Sequence, residues 1–144
     1  MRISGVWHTC DDGVVRPVMR GQIGTASGSW VSTWFLIDTG ADCTAFCADD
    51  LIRLGIPRRE NVSSLGGVGG VAESAVVSTQ IRLRCDDGTK ATFRGDYAAF
   101  TQPESLDISV LGRDVMDLFT LIVDRPDSFV CLIRDRHEYR IETV

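Results

Sequence analysis

The sequence predicts an all-β domain of barrel or sandwich type with one or two short helices. Three observations predict it. Short stretches rich in β-branched and aromatic residues recur between turn signals along the whole chain. Only two stretches read as helix, and both are short. No alternation of strand and helix suggests a βαβ rhythm. A length of 144 residues suits a single domain, spanning residues 1–144, with a core of ordinary size.

The elements follow in order. Residues 3–7 read as a short edge strand, and Asp11-Asp12-Gly13 as a turn. Residues 14–22 alternate loosely, as a strand does. The connector 24–29 is rich in Gly and Ser. Residues 30–37 (Trp-Val-Ser-Thr-Trp-Phe-Leu-Ile) are the clearest strand, and the hairpin so formed delivers Asp38 to its end. Ala48–Leu54 reads as a short helix with acidic residues in its first turn, where the helix dipole favours them. Gly55 fits the position just past its end, and Pro57 the stop beyond.

Residues 61–73 contain Leu65-Gly66-Gly67-Val68-Gly69-Gly70-Val71, a glycine-rich hairpin tip. Residues 75–84 read as a long strand, Asp86-Asp87-Gly88-Thr89 as a hairpin turn, and 90–100 as the returning strand. A loop with Pro103 leads to a short apolar strand at 108–111 that ends at Gly112. Residues 113–119 read as a helix whose apolar side is Val115, Met116, Leu118 and Phe119. Residues 121–124 and 128–133 read as strands joined by Arg125-Pro126-Asp127. The charged stretch 134–138 is expected at the surface, and 139–141 as a last edge strand.

Composition excludes several function classes. Hydrophobic residues make up 44% and charged residues 24%, which fits a globular chain. Net charge is −5, and no basic stripe in the sequence points to nucleic acid. Arg53, Arg58 and Arg59 read as a solvated face. The first residues contain no apolar signal core, and no apolar run nears the roughly 20 residues that span a bilayer. No membrane association and a cytoplasmic location are therefore expected. The five cysteines are widely spaced and odd in number, so they are expected reduced and mostly buried. A zinc set of His8, Cys10, Cys43 and Cys47 fits common zinc spacings poorly. Neither metal nor cofactor is expected.

Asp38 carries the chemical interest. It ends an apolar run, where an unpaired charge is costly to bury. Taken alone, Asp38-Thr39-Gly40 also fits a surface turn in which Gly40 supplies a positive φ. The glycine run lacks the Lys-Ser/Thr of a phosphate loop and opens no helix, although a merely flexible loop fits it too. Asp42 and Arg113, taken singly, fit solvated charges.

Together, the D-T-G-A-D loop after an apolar strand, the G-G-V-G-G hairpin and V-L-G-R-D before a helix resemble the retroviral-type aspartic proteases, the retropepsin family. The resemblance runs from about Arg16 to Ile133. It implies a closed, barrel-like acid protease fold with a flap hairpin, and an aspartic endopeptidase activity. By position, Asp38 would be the catalytic aspartate. Thr39 would anchor the loop against its counterpart in a second subunit, and Gly40 would let a peptide backbone approach. Ala41 and Asp42 would border the bound peptide, with Gly66, Gly67, Val68, Gly69 and Gly70 as the flap above it. Asp42 and Arg113 would form an ion pair that fixes loop and helix, with Arg113 a candidate for burial. Leu36, Ile37, Val68 and Val71 would wall the cleft.

The resemblance also implies the chemistry: a water activated between two carboxylates that share one proton. Only one Asp-Thr-Gly occurs, so the site implies a homodimer with Asp38 contributed twice. Stretch 134–144 has no counterpart in the shortest members, which leaves the dimer interface open. A catalytically weak dimerisation or peptide-binding module is the alternative for such a fold. Ala41 cannot donate the hydrogen bond a Ser would give the carboxylate, which points to activity nearer neutral pH. Cys43 is expected near the site, either oxidisable or an inert thiol.

Overall fold

The computed structural model describes residues 1–56, 59–67 and 70–135, with the backbone alone for 59–67, 70 and 71. Among the described residues, two sheets contain eleven strands. In chain order these are β1 (Arg2–Ser4), β2 (Val6–Thr9), β3 (Val15–Gly24), β4 (Trp30–Ile37) and β5 (Ala45–Phe46). Helix α1 (Ala48–Leu54) precedes β6 (Arg59–Gly67), β7 (Gly70–Arg84) and β8 (Lys90–Phe100). Strand β9 (Ser109–Leu111), helix α2 (Arg113–Met116), β10 (Thr120–Asp124) and β11 (Phe129–Ile133) complete the order.

The larger sheet closes on itself. Strands run β3-β4-β9-β5-β8-β7, and β7 pairs back to β3 through Gly21↔Leu83, Gln22↔Arg82 and Ile23↔Ile81. Closure removes the open edges that an unfinished sheet would expose. Strand β2 adds to β3, and β6 adds to β7 as the hairpin arm. A small sheet, β1-β11-β10, packs below. The expected closed β-barrel-like fold with two short helices is thus the observed one.

Alternation builds the core. Met19 and Ile23 of β3, Phe35 and Ile37 of β4, and Val77, Ile81 and Leu83 of β7 are buried and belong to one apolar cluster. Phe46 sits between Phe35 and Tyr97, with ring centroids 6.3 and 5.5 Å away. Helix α1 ends at Gly55, whose φ of 59° lies in the left-handed region. Its Asp50 is 2% exposed, so this first-turn acid is no solvated dipole partner. Asp50 Oδ2 accepts from Thr33 Oγ1 and Ser109 Oγ, both at 2.6 Å, and Oδ1 accepts from Arg53 at 3.0 Å.

Several readings differ from expectation. Residues 3–7 are not one strand: the chain switches sheets at Gly5, where a Cβ would sit 2.6 Å from the Val18 carbonyl oxygen. Helix α2 is four residues, not seven. Leu118 is exposed beyond it, while Phe119 packs on the core edge-on to Phe93. β5, only two residues long, carried no periodicity for sequence reading to find. The expected stop at Pro57, together with Arg58, His137 and the edge strand at 139–141, lies outside the described residues.

Gly21 is a tight point of the barrel wall. A Cβ there would lie 2.7 Å from Phe35 Cε2 and 2.9 Å from Leu83 Cδ2. Overfilling a packed core costs about 1–3 kcal/mol. Gly21→Ala is expected to lower unfolding stability by that amount in a urea titration, without a change of fold by circular dichroism.

Candidate active site

The Asp-Thr-Gly loop begins where β4 leaves the barrel. Ile37 pairs in parallel with Leu111 of β9, and the Asp38 N–H donates to the Leu111 carbonyl at 3.4 Å. The Ala41 N–H then donates to the Asp38 carbonyl at 3.2 Å, which folds the chain back. The Gly40 N–H donates to Asp38 Oδ1 at 2.9 Å and so orients the carboxylate. Asp38 is half-buried, while Thr39 and Gly40 are exposed. Thr39 and Gly40 do form an exposed turn, but Gly40 is absent from the positive-φ positions, so the turn is made without the positive φ expected of this glycine. A Cβ on Gly40 would instead press on Asp38 Oδ1 at 3.2 Å.

A hydrogen-bonded latch, buried at its Thr44 end, holds the far side of the loop. Asp114 Oδ1 accepts from Thr44 N at 2.9 Å, Thr44 Oγ1 at 2.7 Å and Val115 N at 2.9 Å. Thr44, 0% exposed, accepts in turn from Gly112 N at 3.0 Å. The Arg113 N–H donates to the Ala41 carbonyl at 2.9 Å, and the Asp114 N–H to that of Asp42 at 3.3 Å. The chains approach so closely that a Cβ on Gly112 would fall 2.3 Å from the Cys43 carbonyl carbon. Only glycine fits there. Thr44 and Asp114 were not singled out from sequence. Their signal was a small hydroxyl residue opening the apolar Ala45-Phe46, and an acid directly following Arg113.

Asp42 and Arg113 do meet in an ion pair. The expectation that Arg113 is buried is corrected: the side chains are 82% and 51% exposed. Such a pair contributes about 0–1 kcal/mol within one chain. The backbone bonds from Arg113 and Asp114 and the Thr44 latch fix loop to helix instead. Ile37 is also corrected. It is 7% exposed and part of the core, so it does not wall a cleft, whereas Leu36 is half-buried.

Cys43 is half-buried, and burial pushes its thiol up, with the charges of Asp114 and Asp42 acting in the same direction. A thiol held protonated is a poor nucleophile, which favours the inert reading. Buried Tyr97 is pushed up to about 12, first by desolvation and then by the charge of Asp114. All five cysteines are free. His8, Cys10 and Cys47 line one cleft that Cys43 does not share, and no group of three or more candidate metal ligands occurs among the described residues.

Three of the glycines expected to form a flap, Gly66, Gly67 and Gly70, fall on the β6–β7 hairpin. Gly66 pairs with Val71 and Gly67 with Gly70. Val68 and Gly69, between them, lie outside the described residues.

A closed barrel that ends one strand in Asp-Thr-Gly and ties that loop to a short helix has the framework of an aspartic protease. The family model described as retroviral aspartyl protease matches residues 14–122, and the chain belongs to this family. Among solved structures, a retropepsin-like aspartic protease from Rickettsia conorii superposes with a TM-score of 0.61 at 19% identity, covering 92% of this chain and 98% of that one. The EIAV protease, complexed with the inhibitor HBY-793, superposes with a TM-score of 0.51 at 22% identity, covering 71% of this chain and 86% of that one. No curated protein matches the chain in sequence.

The latch and the ion pair make opposite predictions. Thr44→Val keeps the shape but strands the Gly112 N–H and removes a donor from Asp114, a loss of about 1–3 kcal/mol. Arg113→Ala is expected to change stability by less than about 1 kcal/mol. Parallel urea titrations of the two variants check the ranking.

Proposed function

We propose that the chain is an aspartic endopeptidase that works as a homodimer, with Asp38 of each copy meeting at the two-fold axis. One observation carries this reading. A single Asp-Thr-Gly loop is locked by backbone bonds to β9 and α2, yet leaves its carboxylate half-exposed with one oriented oxygen. Membership of the retroviral aspartyl protease family supports it.

In the dimer, two carboxylates brought close together cannot both ionise, so they hold one proton between them. The ionised Asp38 takes a proton from a water molecule. The protonated Asp38 of the other copy donates a hydrogen bond to the scissile carbonyl oxygen, and the water oxygen adds to the carbonyl carbon. Proton transfer to the amide nitrogen then lets the C–N bond break. Thr39 suits the anchoring role, because its hydroxyl is exposed and has no partner among the described residues of its own chain. Gly40 and Ala41 are small enough for a peptide backbone to pass, and exposed Asp42 stands beside them. Gly66, Gly67 and Gly70, with Val68 and Gly69, would close over the peptide as a flap.

Two experiments test the reading. Asp38→Asn is expected to fold and dimerise as the wild type does while losing roughly 10³-fold or more of its cleavage of a peptide library. Equal cleavage, or a stable wild-type monomer by light scattering under assay conditions, overturns it. Ala41→Ser adds a donor that stabilises the charged carboxylate and lowers the pKa of the dyad. Its pH–rate profile is expected to move toward acid, read with the same substrate in both proteins.

A further inference from the structure

The barrel assembles a basic face that the linear sequence hides. Alternation along β3, β7 and β8 sends Met19, Ile23, Ile81, Leu83 and Ala91 inward. It sends Arg20, Arg82, Arg84, Lys90 and Arg94 outward, on strands from distant parts of the chain. Pairing sets them side by side. Gln22 opposes Arg82 across β3–β7, and Arg84 opposes Lys90 across β7–β8. Four of these cations, Arg20, Arg82, Arg84 and Lys90, line one cleft of about 610 Å³ with Gln22 and Ser32. A chain of net charge −5 thus collects positive charge on one sheet face.

These cations are not used internally. None of the five has an acidic partner among the described residues. Asp86, which also lines the cleft, is taken by Arg2 at 3.0 Å and by Ser4. The Nε of Arg82 is buried without a hydrogen-bond partner among the described residues, so a carboxylate arriving from solvent would meet the terminal guanidinium nitrogens and not this atom. Arg82 and Arg20 are also braced: Arg82 lies 3.6 Å over the Trp30 ring and Arg20 5.9 Å over that of Trp34. Bracing lowers the entropy lost when a guanidinium binds a carboxylate.

We propose that this face is an exosite for an acidic, extended segment of the protein substrate. The proposal rests on the proteolytic reading above. In an extended peptide, alternate side chains lie about 7 Å apart on one side, the same spacing as Arg82 and Arg84 on β7. An arginine fork donates two parallel N–H bonds to one carboxylate. Single-stranded nucleic acid fits less well, because it calls for free aromatic faces. Here Trp34 carries His8 stacked at 5.7 Å as well as Arg20, and Trp30 is covered by Arg82. The face also lies within reach of the site. Arg20 pairs with Trp34, four residues before Asp38 on β4, a distance of about 13 Å along the strand.

The test uses the full chain and a fluorescein-labelled peptide of twelve alternating Glu and Ser residues. The variant is Arg20→Glu/Arg84→Glu, which reverses two exposed charges outside the catalytic loop. Anisotropy is expected to show salt-sensitive binding to wild type and to Asp38→Asn alike, weakened at least 10-fold in the double variant. Equal binding to wild type and double variant overturns the exosite, as does tighter binding of an equally charged oligothymidylate. In a second arm, an acidic tail appended to a cleavable peptide is expected to lower KM about 10-fold with kcat unchanged in wild type only. A tail that changes KM equally in both proteins overturns the proposal. If no peptide is cleaved, proteolysis fails as a reading while the anisotropy result still decides the exosite.

Discussion

Much of this structure depends on one oxygen atom, Asp114 Oδ1. It accepts three hydrogen bonds, two of them from Thr44. Charge-assisted bonds of this kind are the stronger ones, and although Asp114 itself is exposed, its partner Thr44 is fully buried. Thr44 passes the restraint on in two directions. Its hydroxyl accepts from Gly112, where β9 ends, and its carbonyl accepts from Ala98 of β8 at 3.3 Å. Two-residue β5 is therefore wedged between β8 and β9 by the residue that precedes it. Remove the latch, and the parallel pair β4–β9, which carries Asp38 at its end, loses the brace on its far side.

The exposed Asp42–Arg113 pair looks like the obvious tie between loop and helix, since it links residues 71 positions apart. Its exposure argues otherwise. A pair in water gains little Coulomb energy and must order two side chains. The backbone bonds from Arg113 to Ala41 and from Asp114 to Asp42 do the same joining without that entropy, because both segments are already held. The ion pair is therefore not what joins loop to helix, and it stands exposed beside the Asp-Thr-Gly loop.

What could be read from sequence was what is local. Apolar alternation located β3, β4, β7 and β8; the Asp-Gly dipeptides located the turns before β3 and between β7 and β8; Gly55 marked the end of α1. The Asp-Thr-Gly loop was legible because three chemical signals coincided at known spacing. What stayed hidden depends on pairing between distant segments. The break at Gly5 is set by the Val18 carbonyl, thirteen residues away, and no local pattern encodes that contact. The extent of α2 depends on Phe119 turning back onto Phe93 instead of continuing a helical face. The burial of Asp50 depends on hydroxyls from β4 and β9. The basic face is the extreme case, for its cations come from three strands and form no run in the sequence.

Strand β4 brings these parts together. Its inward residues, Phe35 and Ile37, belong to the barrel core, so the strand cannot shift without disturbing packing that tolerates little change. Its outward residues, Trp30 and Trp34, support Arg82 and Arg20. Its last peptide hands over to Asp38. One rigid element therefore sets the position of the carboxylate and of the cations at once. A catalytic loop must be held to within about half an ångström, which rigid strands achieve and free loops do not. If the chain cleaves peptides as proposed, variation between substrates has to be absorbed by parts that β4 does not restrain. Among the described residues, the hairpin of β6 and β7 is such a part: beyond Val76 it pairs only with itself and the end of β8. Whether a strand lies inside the closed ring or runs out past it decides how far β4 fixes it.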